Sequence, residues 1–212
     1  ERRREDHGDE TDMTTVSSPA FWEDLYQRHG DGWELGGPAP ALVDFVEATP
    51  PPRGRVAVPG CGRGPDVRYL ASRGYDALGF DFADDAIRAA RALAAREGSA
   101  ATFERHDLFT LDRDYPNAFD GVWEYTCFCA IDPARRPEYV QVTRRILRPG
   151  GWFLASFYPI RQTGGGPPFP MSRAEIRRRF APWFRFERAF APLRTVPRRS
   201  AQEWMVFARK TC

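Results

Sequence analysis

An apolar run that breaks into three alternating glycines constrains this chain more than any other feature. The run is Val56-Ala57-Val58-Pro59, and Gly60, Gly62 and Gly64 follow it. Asp81 comes 21 residues after Gly60, at the end of a second apolar run over 77–80. Proteins of the α/β class hold an adenosine ribose with a strand, a glycine turn, a helix and a second strand that ends in a carboxylate. The pattern therefore predicts a domain that binds an adenosine cofactor.

Two residues after the glycines argue against a dinucleotide as that cofactor. The dinucleotide fingerprint requires a glycine at position 65, where this chain has Pro65. Asp66 would lie in the first turn of the next helix, where a carboxylate repels a pyrophosphate. S-adenosylmethionine (SAM) has no phosphate and carries a cationic sulfonium, so the pattern favours SAM. An ordinary glycine turn and a nucleotide-dependent oxidoreductase are the alternatives.

Composition limits the class of protein further. The chain has 212 residues, 42% of them hydrophobic, which is enough for one domain with a buried core. It contains neither an uninterrupted apolar stretch of transmembrane length nor a secretory signal pattern. Residues 1–18 are charged or small and polar, and we expect a disordered extension there. The single domain is then expected over 19–212, with a lid segment over 19–50.

Cysteine usage and charge indicate a cytoplasmic protein with a small-molecule substrate. Cys61, Cys127, Cys129 and Cys212 form no C-x-x-C pair and have no histidine at ligand spacing, so we predict no metal site. Reduced thiols in the core fit a cytoplasmic protein. Only four of the 29 acidic residues lie after residue 134, so the C-terminal part is basic and could attract anions. Arginine richness alone is weak evidence for nucleic acid, and we predict no such partner.

Hydrophobic periodicity predicts alternating strands and helices. The strands are predicted at 55–58, 76–81, 101–104, 119–125, 152–157, 184–190 and 202–208, and the helices at 21–28, 39–48, 65–73, 83–97, 134–148 and 172–180. This alternation indicates an α/β fold, with a mostly parallel seven-stranded sheet and helices on both faces. The last two strands have no long helix between them, which predicts an antiparallel C-terminal hairpin at the sheet edge.

Four stretches make the chain resemble a known family. They are the paired-tryptophan segment over 21–36, the glycine turn over 58–64, the Glu-Tyr-Thr-Cys-Phe-Cys-Ala-Ile stretch over 124–131, and the Leu-Arg-Pro-Gly-Gly element over 147–151. Over residues 19–208 the chain resembles a class I SAM-dependent methyltransferase with a Rossmann-like domain. More narrowly, it resembles the thiopurine S-methyltransferase and thiol or halide methyltransferase family. The tryptophan pair and the Phe-Cys-Ala-Ile stretch are the specific signals.

The resemblance implies cofactor-binding roles for the matching residues. The lid segment would close over SAM with Trp22, Tyr26, Trp33 and Leu35, and aromatic faces attract a sulfonium cation. Gly60 and Gly62 would let the backbone approach the methionyl part, and Asp81 would accept both ribose hydroxyls. The remaining predicted contacts are Phe82, Asp107 and Leu108 around the adenine, and Glu124 and Tyr125 at the end of the fourth strand.

The resemblance also implies an acceptor side. Arg136 matches a family arginine close to the acceptor and is predicted to hold an anionic nucleophile, while Tyr158 shapes the pocket. A glycine- and proline-rich loop over 164–169 resembles the family's loop over the acceptor. His29 and His106 are expected at the surface, so no general base is predicted. A thiol needs none, since it ionises near neutral pH.

The predicted function is transfer of a methyl group from SAM to a small thiol, or a related sulfur or selenium nucleophile, by in-line displacement. S-adenosylhomocysteine would be released, and we expect a monomer. A halide or another small molecule as acceptor, and a non-catalytic SAM-binding regulator, are the alternatives. Methyltransferases acting on nucleic-acid amino groups carry Asp/Asn-Pro-Pro-aromatic after strand four. This chain has 124-Glu-Tyr-Thr-Cys-127 there.

Overall fold

One sheet organises the molecule. The computed structural model describes residues 15–28, 32–161 and 163–211. The strands of this part are β1 (Arg55–Pro59), β2 (Asp76–Asp81), β3 (Thr102–Arg105), β4 (Phe119–Tyr125), β5 (Leu147–Phe157), β6 (Phe184–Phe190) and β7 (Trp204–Lys210). All seven predicted strands are therefore confirmed.

The strand order is β3-β2-β1-β4-β5-β7-β6. Strands β1 to β5 pair in parallel, whereas β7 pairs antiparallel with both β5 and β6. This confirms the mostly parallel sheet with an antiparallel hairpin at its edge. Because parallel strands end at the same edge, the ends of β1, β2, β4 and β5 lie together, and ligands bind at that edge in α/β folds.

Seven α-helices surround the sheet in the described ranges. They are α1 (Pro19–Gln27), α2 (Pro40–Ala48), α3 (Pro65–Ser72), α4 (Asp84–Glu97), α5 (Leu111–Asp114), α6 (Arg136–Ile146) and α7 (Arg173–Phe180). Proline occupies the first position of α1, α2 and α3, where its missing N–H costs no hydrogen bond. The short α5 was not predicted, because four residues carry no periodicity.

Strand β5 begins at Leu147 rather than at residue 152 as predicted. Leu147 already pairs with Phe119, and the register shifts before Gly121 pairs with Trp152. The Pro-Gly-Gly element thus lies inside an irregular strand instead of ahead of it. Gly150 has φ +73°, a conformation that favours glycine, which explains how the chain bends there.

Alternate residues of β5 build the two halves of the core. Phe153 and Phe157 pack on one face with Phe128 and Phe180, whereas Trp152 and Leu154 pack on the other. This follows from the two-residue period of a strand. Each buried large apolar side chain contributes about 1.5–3 kcal/mol, so both faces must be covered by helices. No helix of the described ranges has the length and apolarity to cross a membrane.

Part of the predicted extension reaches the site. Residues 1–14 lie outside the described residues, as do His29 and Cys212. Residues 15–18 are described, and Val16 and Ser17 line the large cavity at the sheet edge.

Candidate active site

A cavity of about 470 Å³ opens at the carboxyl edge of the sheet. Its walls come from the lid segment, the ends of β1 and β2, the segment after β4, the loop after β5 and the turn before β7. We call this the large cavity. A small cavity adjoins it beside the glycine turn and shares Trp33, Gly60 and Thr126 with it.

The structure brings most predicted site residues to these cavities. The large cavity is lined by Trp22, Tyr26, Trp33, Gly60, Asp81, Phe82, Asp107, Leu108 and Tyr158. Leu35, Gly62 and Tyr125 line the small cavity. Glu124 and Arg136 line neither. Their predicted contacts with cofactor and acceptor stay predictions, and the structure places both side chains in the layer behind the cavity wall.

Asp81 is held rigidly at the end of β2. One carboxylate oxygen accepts from the backbone N–H of Gly62 at 3.0 Å, and the other accepts from that of Ala83 at 3.0 Å. Burial raises its pKa to about 6, although these backbone hydrogen bonds oppose the shift. Each oxygen keeps a further lone pair, so the carboxylate can still accept hydroxyl donors from a ligand.

The glycine turn is closed to any larger residue. Gly60 has φ +61°, and a Cβ there would lie 2.8 Å from the sulfur of Cys127. Gly62 has φ +55°, and its Cβ would lie 3.0 Å from a carboxylate oxygen of Glu34. The missing side chains let the backbone of the turn form the wall of both cavities, as the sequence predicted for a close approach to a ligand.

Aromatic side chains of the lid segment pack on one another above Asp81. Trp33 lies edge-on to Trp22 and to Tyr26, with ring centroids 5.5 and 5.4 Å apart. The indole N–H of Trp22 donates to the carbonyl of Val16 at 2.9 Å. Burial, with the nearby Asp81 carboxylate, raises the pKa of Tyr26, so its phenol stays neutral. The lid therefore presents a largely apolar aromatic face to the cavity.

Asp66 ties the lid segment to the sheet. Its two carboxylate oxygens accept from the backbone N–H of Ala39 and from the indole N–H of Trp123, both at 2.7 Å. Burial raises its pKa. Sequence reasoning used Asp66 only as evidence against phosphate, and the structure adds this fixing role for the residue.

The segment after β3 lines the side of the cavity where the adenine is predicted to bind. Asp107 begins a single helical turn and accepts from the backbone N–H of Phe109 at 2.9 Å. Leu108 and Phe109 follow it along the cavity wall. His106 also lines the cavity, with its ring 2.8 Å from the carboxylate of Asp114, so its expected surface position was wrong. Its side chain is only 16% exposed.

Glu124 is turned into the core. Its carboxylate accepts from the backbone N–H of Phe128 at 2.8 Å and from the hydroxyl of Tyr139. Burial raises its pKa to about 7. The residue holds the turn over 125–128, in which Thr126 has φ +61° and contributes to both cavities.

Two thiols lie in the cavity wall. Cys127 and Cys129 follow that turn, and the sulfur of Cys129 lies 3.2 Å from the carbonyl of Thr126. Burial raises the pKa of both thiols, that of Cys129 to about 12. They are therefore protonated at neutral pH, and poor nucleophiles, consistent with the predicted role of core thiols.

Arg199 is a cavity residue that sequence reasoning missed. The residue is 2% exposed, and its guanidinium lies 4.9 Å from the ring centres of both Tyr125 and Tyr158. One Nη donates to the carbonyl of Trp33 at 3.1 Å, whereas the other has no hydrogen-bond partner within the described ranges. Its position in an arginine-rich segment gave no local signal that this one side chain turns inward.

The arrangement fits SAM. The site offers a carboxylate that can accept the hydroxyls of a ribose, a glycine turn open to close approach, and an aromatic face that would attract a sulfonium, at the edge where α/β proteins bind ligands. These features define a SAM-dependent methyltransferase of the Rossmann-like class. The family description that matches residues 17–209 is thiopurine S-methyltransferase. The chain belongs to the thiopurine S-methyltransferase family.

Individual relatives agree with this assignment. The chain is 33% identical over 172 residues to a probable thiol methyltransferase 2 of Arabidopsis thaliana, which covers 80% of the chain and 75% of that relative. It is 34% identical over 154 residues to thiocyanate methyltransferase 1 of Brassica oleracea, and this match covers 71% of the chain and 67% of that relative. A thiopurine S-methyltransferase of Vibrio atlanticus is 27% identical over 179 residues, with 78% and 82% covered.

Solved structures share the fold. A Burkholderia thailandensis 1,6-didemethyltoxoflavin N1-methyltransferase, solved with S-adenosylhomocysteine bound, superposes with a TM-score of 0.72 at 21% identity, covering 92% of this chain and 87% of that one. A structure from work on converting a disulfide bond into a thioacetal in echinomycin biosynthesis superposes with a TM-score of 0.74 at 24% identity. The match covers 90% of this chain and 92% of that one. At these identities the likeness concerns the fold alone.

Proposed function

We propose that this enzyme methylates a small anionic sulfur nucleophile, a thiolate or a thiocyanate-like ion. The observation that carries the proposal is Arg199, a buried arginine of the cavity wall in which one Nη has no hydrogen-bond partner among the described residues. A buried cation without a counter-ion costs several kcal/mol, and a bound anion removes that cost. Among the described residues no carboxylate pairs with Arg199.

The position of Arg199 favours the acceptor as the anion it binds. Its neighbour Tyr158 lines the large cavity after β5 and its neighbour Tyr125 lines the small cavity at the end of β4, whereas Asp81 and Asp107 lie at the ends of β2 and β3. The loop residues Pro167 and Pro168 lie in the wall of the large cavity. A nucleophile held by Arg199 would therefore lie across the cavity from the predicted adenosine site.

The residues of the chain supply alignment, desolvation and charge. Bound SAM supplies a methyl group on a cationic sulfonium. The acceptor sulfur would form a bond to the methyl carbon in line with the carbon–sulfonium bond that breaks, S-adenosylhomocysteine would leave, and a thiol acceptor's proton would go to water. Fixing two reactants in attack geometry can contribute about 7–11 kcal/mol in the best cases. The cationic Arg199 stabilises a thiolate and so lowers the acceptor's pKa, which makes a general base unnecessary.

The relatives support a sulfur acceptor. Those described above are named for thiols, thiocyanate and thiopurines. A cavity of about 470 Å³ lies within the size range of small-molecule sites.

The test is turnover of SAM with a panel of acceptors. Formation of S-adenosylhomocysteine is followed with hydrogen sulfide, methanethiol, thiocyanate, an aromatic thiol, a thiopurine and iodide. We expect the highest kcat/KM for a small sulfur anion. Highest turnover with a neutral acceptor, or tight SAM binding without turnover of any of them, would contradict the proposal.

Substitution of Arg199 tests the anion site directly. Losing a hydrogen bond to a charged group costs about 1.5–3 kcal/mol, so Arg199→Met should raise the acceptor KM about ten- to hundredfold. SAM affinity measured by calorimetry should change little, and Arg199→Lys should recover part of the loss. Arg194→Met, in the same segment but exposed and paired with Asp44, is the control. A fall in SAM affinity with an unchanged acceptor KM would assign Arg199 to the cofactor carboxylate instead.

A further inference from the structure

A second buried arginine, Arg136, lies behind the acceptor side of the cavity. It is the first residue of α6, and its side chain is 3% exposed. Its guanidinium carbon lies 5.1 Å from the ring centre of Phe128, and the residue does not line the cavity. Whatever Arg136 does for the reaction, it therefore does through the residues that it holds.

Those residues belong to the segment over 167–171, which we call the proline wall. One Nη of Arg136 donates to the carbonyl of Pro170 at 3.2 Å, and the other donates to that of Phe169 at 3.1 Å. The backbone N–H of Phe169 donates to the carbonyl of Cys129 at 2.7 Å. Pro167 and Pro168, directly before Phe169, line the large cavity.

Glu175 anchors the guanidinium. It accepts from Arg136 at 3.2 Å and from the Nε of Arg179 at 2.8 Å, and Ser172 caps the helix that carries it. Burial would raise the pKa of Glu175, but the hydrogen bonds and charges of the two arginines hold it below its usual value. The carboxylate is thus ionised at neutral pH.

The contacts of Arg136 indicate more than a general packing role. A buried ion pair stabilises little by itself, because desolvation offsets most of the attraction. Here the guanidinium gives its directional N–H groups to two successive carbonyls of a segment without helix or ladder bonds at those positions. Such a fork fixes the position of backbone more than it adds to stability.

We propose that Arg136, anchored by Glu175, is a positioning residue that fixes the proline wall and thereby sets how tightly the acceptor is held. The inference rests on the proposed function, because it takes the wall to border the acceptor. It replaces direct contact with the acceptor, the role that the family resemblance implied for Arg136, by an indirect one.

The experiment separates acceptor binding from cofactor binding. In Arg136→Lys and Glu175→Gln, a wall displaced by about 1 Å should raise the acceptor KM tenfold or more, because misplacements of that size cost up to about a hundredfold. SAM affinity should stay within about twofold of the unsubstituted protein, since Asp81 and the lid are untouched. Arg145→Gln, which breaks an exposed ion pair with Asp112 at the far end of the same helix, is the control.

Amide hydrogen exchange gives a readout that needs no turnover. The N–H of Phe169 should exchange faster in both variants, while the amides of β5 keep their protection. If Arg136→Lys does not fold, Glu175→Asp shortens the anchor by one methylene and should show the same pattern to a smaller degree.

Two results would overturn the inference. One is unchanged exchange at Phe169, and the other is an acceptor KM and SAM affinity that change together. An enzyme that turns over no sulfur anion would contradict the proposed function, while the exchange result would still decide whether Arg136 fixes the wall.

Discussion

The cofactor end and the acceptor end of the cavity are built in different ways. At the cofactor end, Asp81 binds the backbone of Gly62, 19 residues earlier in the chain. At the acceptor end, Arg199 binds the carbonyl of Trp33 across 166 residues. The cofactor end is thus a local strand–turn–strand unit, whereas the acceptor end is assembled from separate segments. A common cofactor can be held by a fixed unit, while the acceptor site varies with the loops that surround it.

The two buried arginines on the acceptor side of the cavity also differ from each other in how they are held. Arg136 has an anchoring carboxylate and two backbone carbonyls, whereas Arg199 has one carbonyl and no carboxylate partner among the described residues. An arginine paired with a carboxylate positions its surroundings, and one without such a pair can bind an anionic ligand.

Asp81→Asn should give the largest effect at the cofactor end. The asparagine side chain would place its NH2 group against one of the two backbone N–H donors, where neither group can accept. It also could not accept hydrogen bonds from two ribose hydroxyls. With hydrogen bonds to a charged group contributing about 1.5–3 kcal/mol each, SAM affinity should fall about a hundredfold or more. Calorimetric titration with SAM checks this. Asp76→Asn, at the exposed start of the same strand, should bind SAM normally; equal losses in both would remove Asp81 from the site.

Glu124→Gln should change the pH dependence of stability. The carboxyl titrates near 4.5 when unfolded and at about 7 when folded, so between these values the folded chain holds a proton that the unfolded chain has released. The free energy of unfolding therefore falls as the pH rises through this window, by about 2–3 kcal/mol for such a shift.

Glutamine can accept from Phe128 and donate to Tyr139, so the variant should fold and lose most of this slope. Denaturant unfolding between pH 5 and 8 measures it, with Glu97→Gln as an exposed control. If the pH dependence of stability is unchanged and SAM binding is weaker, Glu124 contacts the cofactor as the sequence predicted.

Trp33→Leu should give the smallest effect of the three. Trp33 stands between two other aromatic rings, so the lid keeps part of its aromatic face without it. A cation–π contact of about 1 kcal/mol implies SAM affinity about fivefold weaker, and Trp33→Phe should restore most of it. The exposed Trp183→Leu serves as the comparison for a tryptophan outside the cavity. Full affinity in Trp33→Leu would show that the lid only covers the site.

Much of the fold and of the cofactor end could be predicted because the signals are local. The strands and longer helices follow from periodicity, and only boundaries such as the start of β5 differ. Asp81 and Gly60 were recognised because spacing along a strand–turn–strand unit fixes their relative positions. The direction of Glu124 could not be predicted, since a strand-end residue can face the ligand or the core, and the hydroxyl of Tyr139 decides between them.

The sequence by itself determined the class of fold, and it predicts the adenosine-binding edge and the aromatic lid, because each depends on residues close together in the chain. Only the tertiary structure decided which of the two buried arginines, Arg136 and Arg199, lines the cavity. Arg136 begins a helix that packs against α7, so its guanidinium is taken up by Glu175. Arg199 ends a short turn whose inward side is lined by Tyr125 and Tyr158. Residues far apart in the chain set these surroundings, and the lack of a paired carboxylate among the described residues is the basis on which we propose that Arg199 binds an anion.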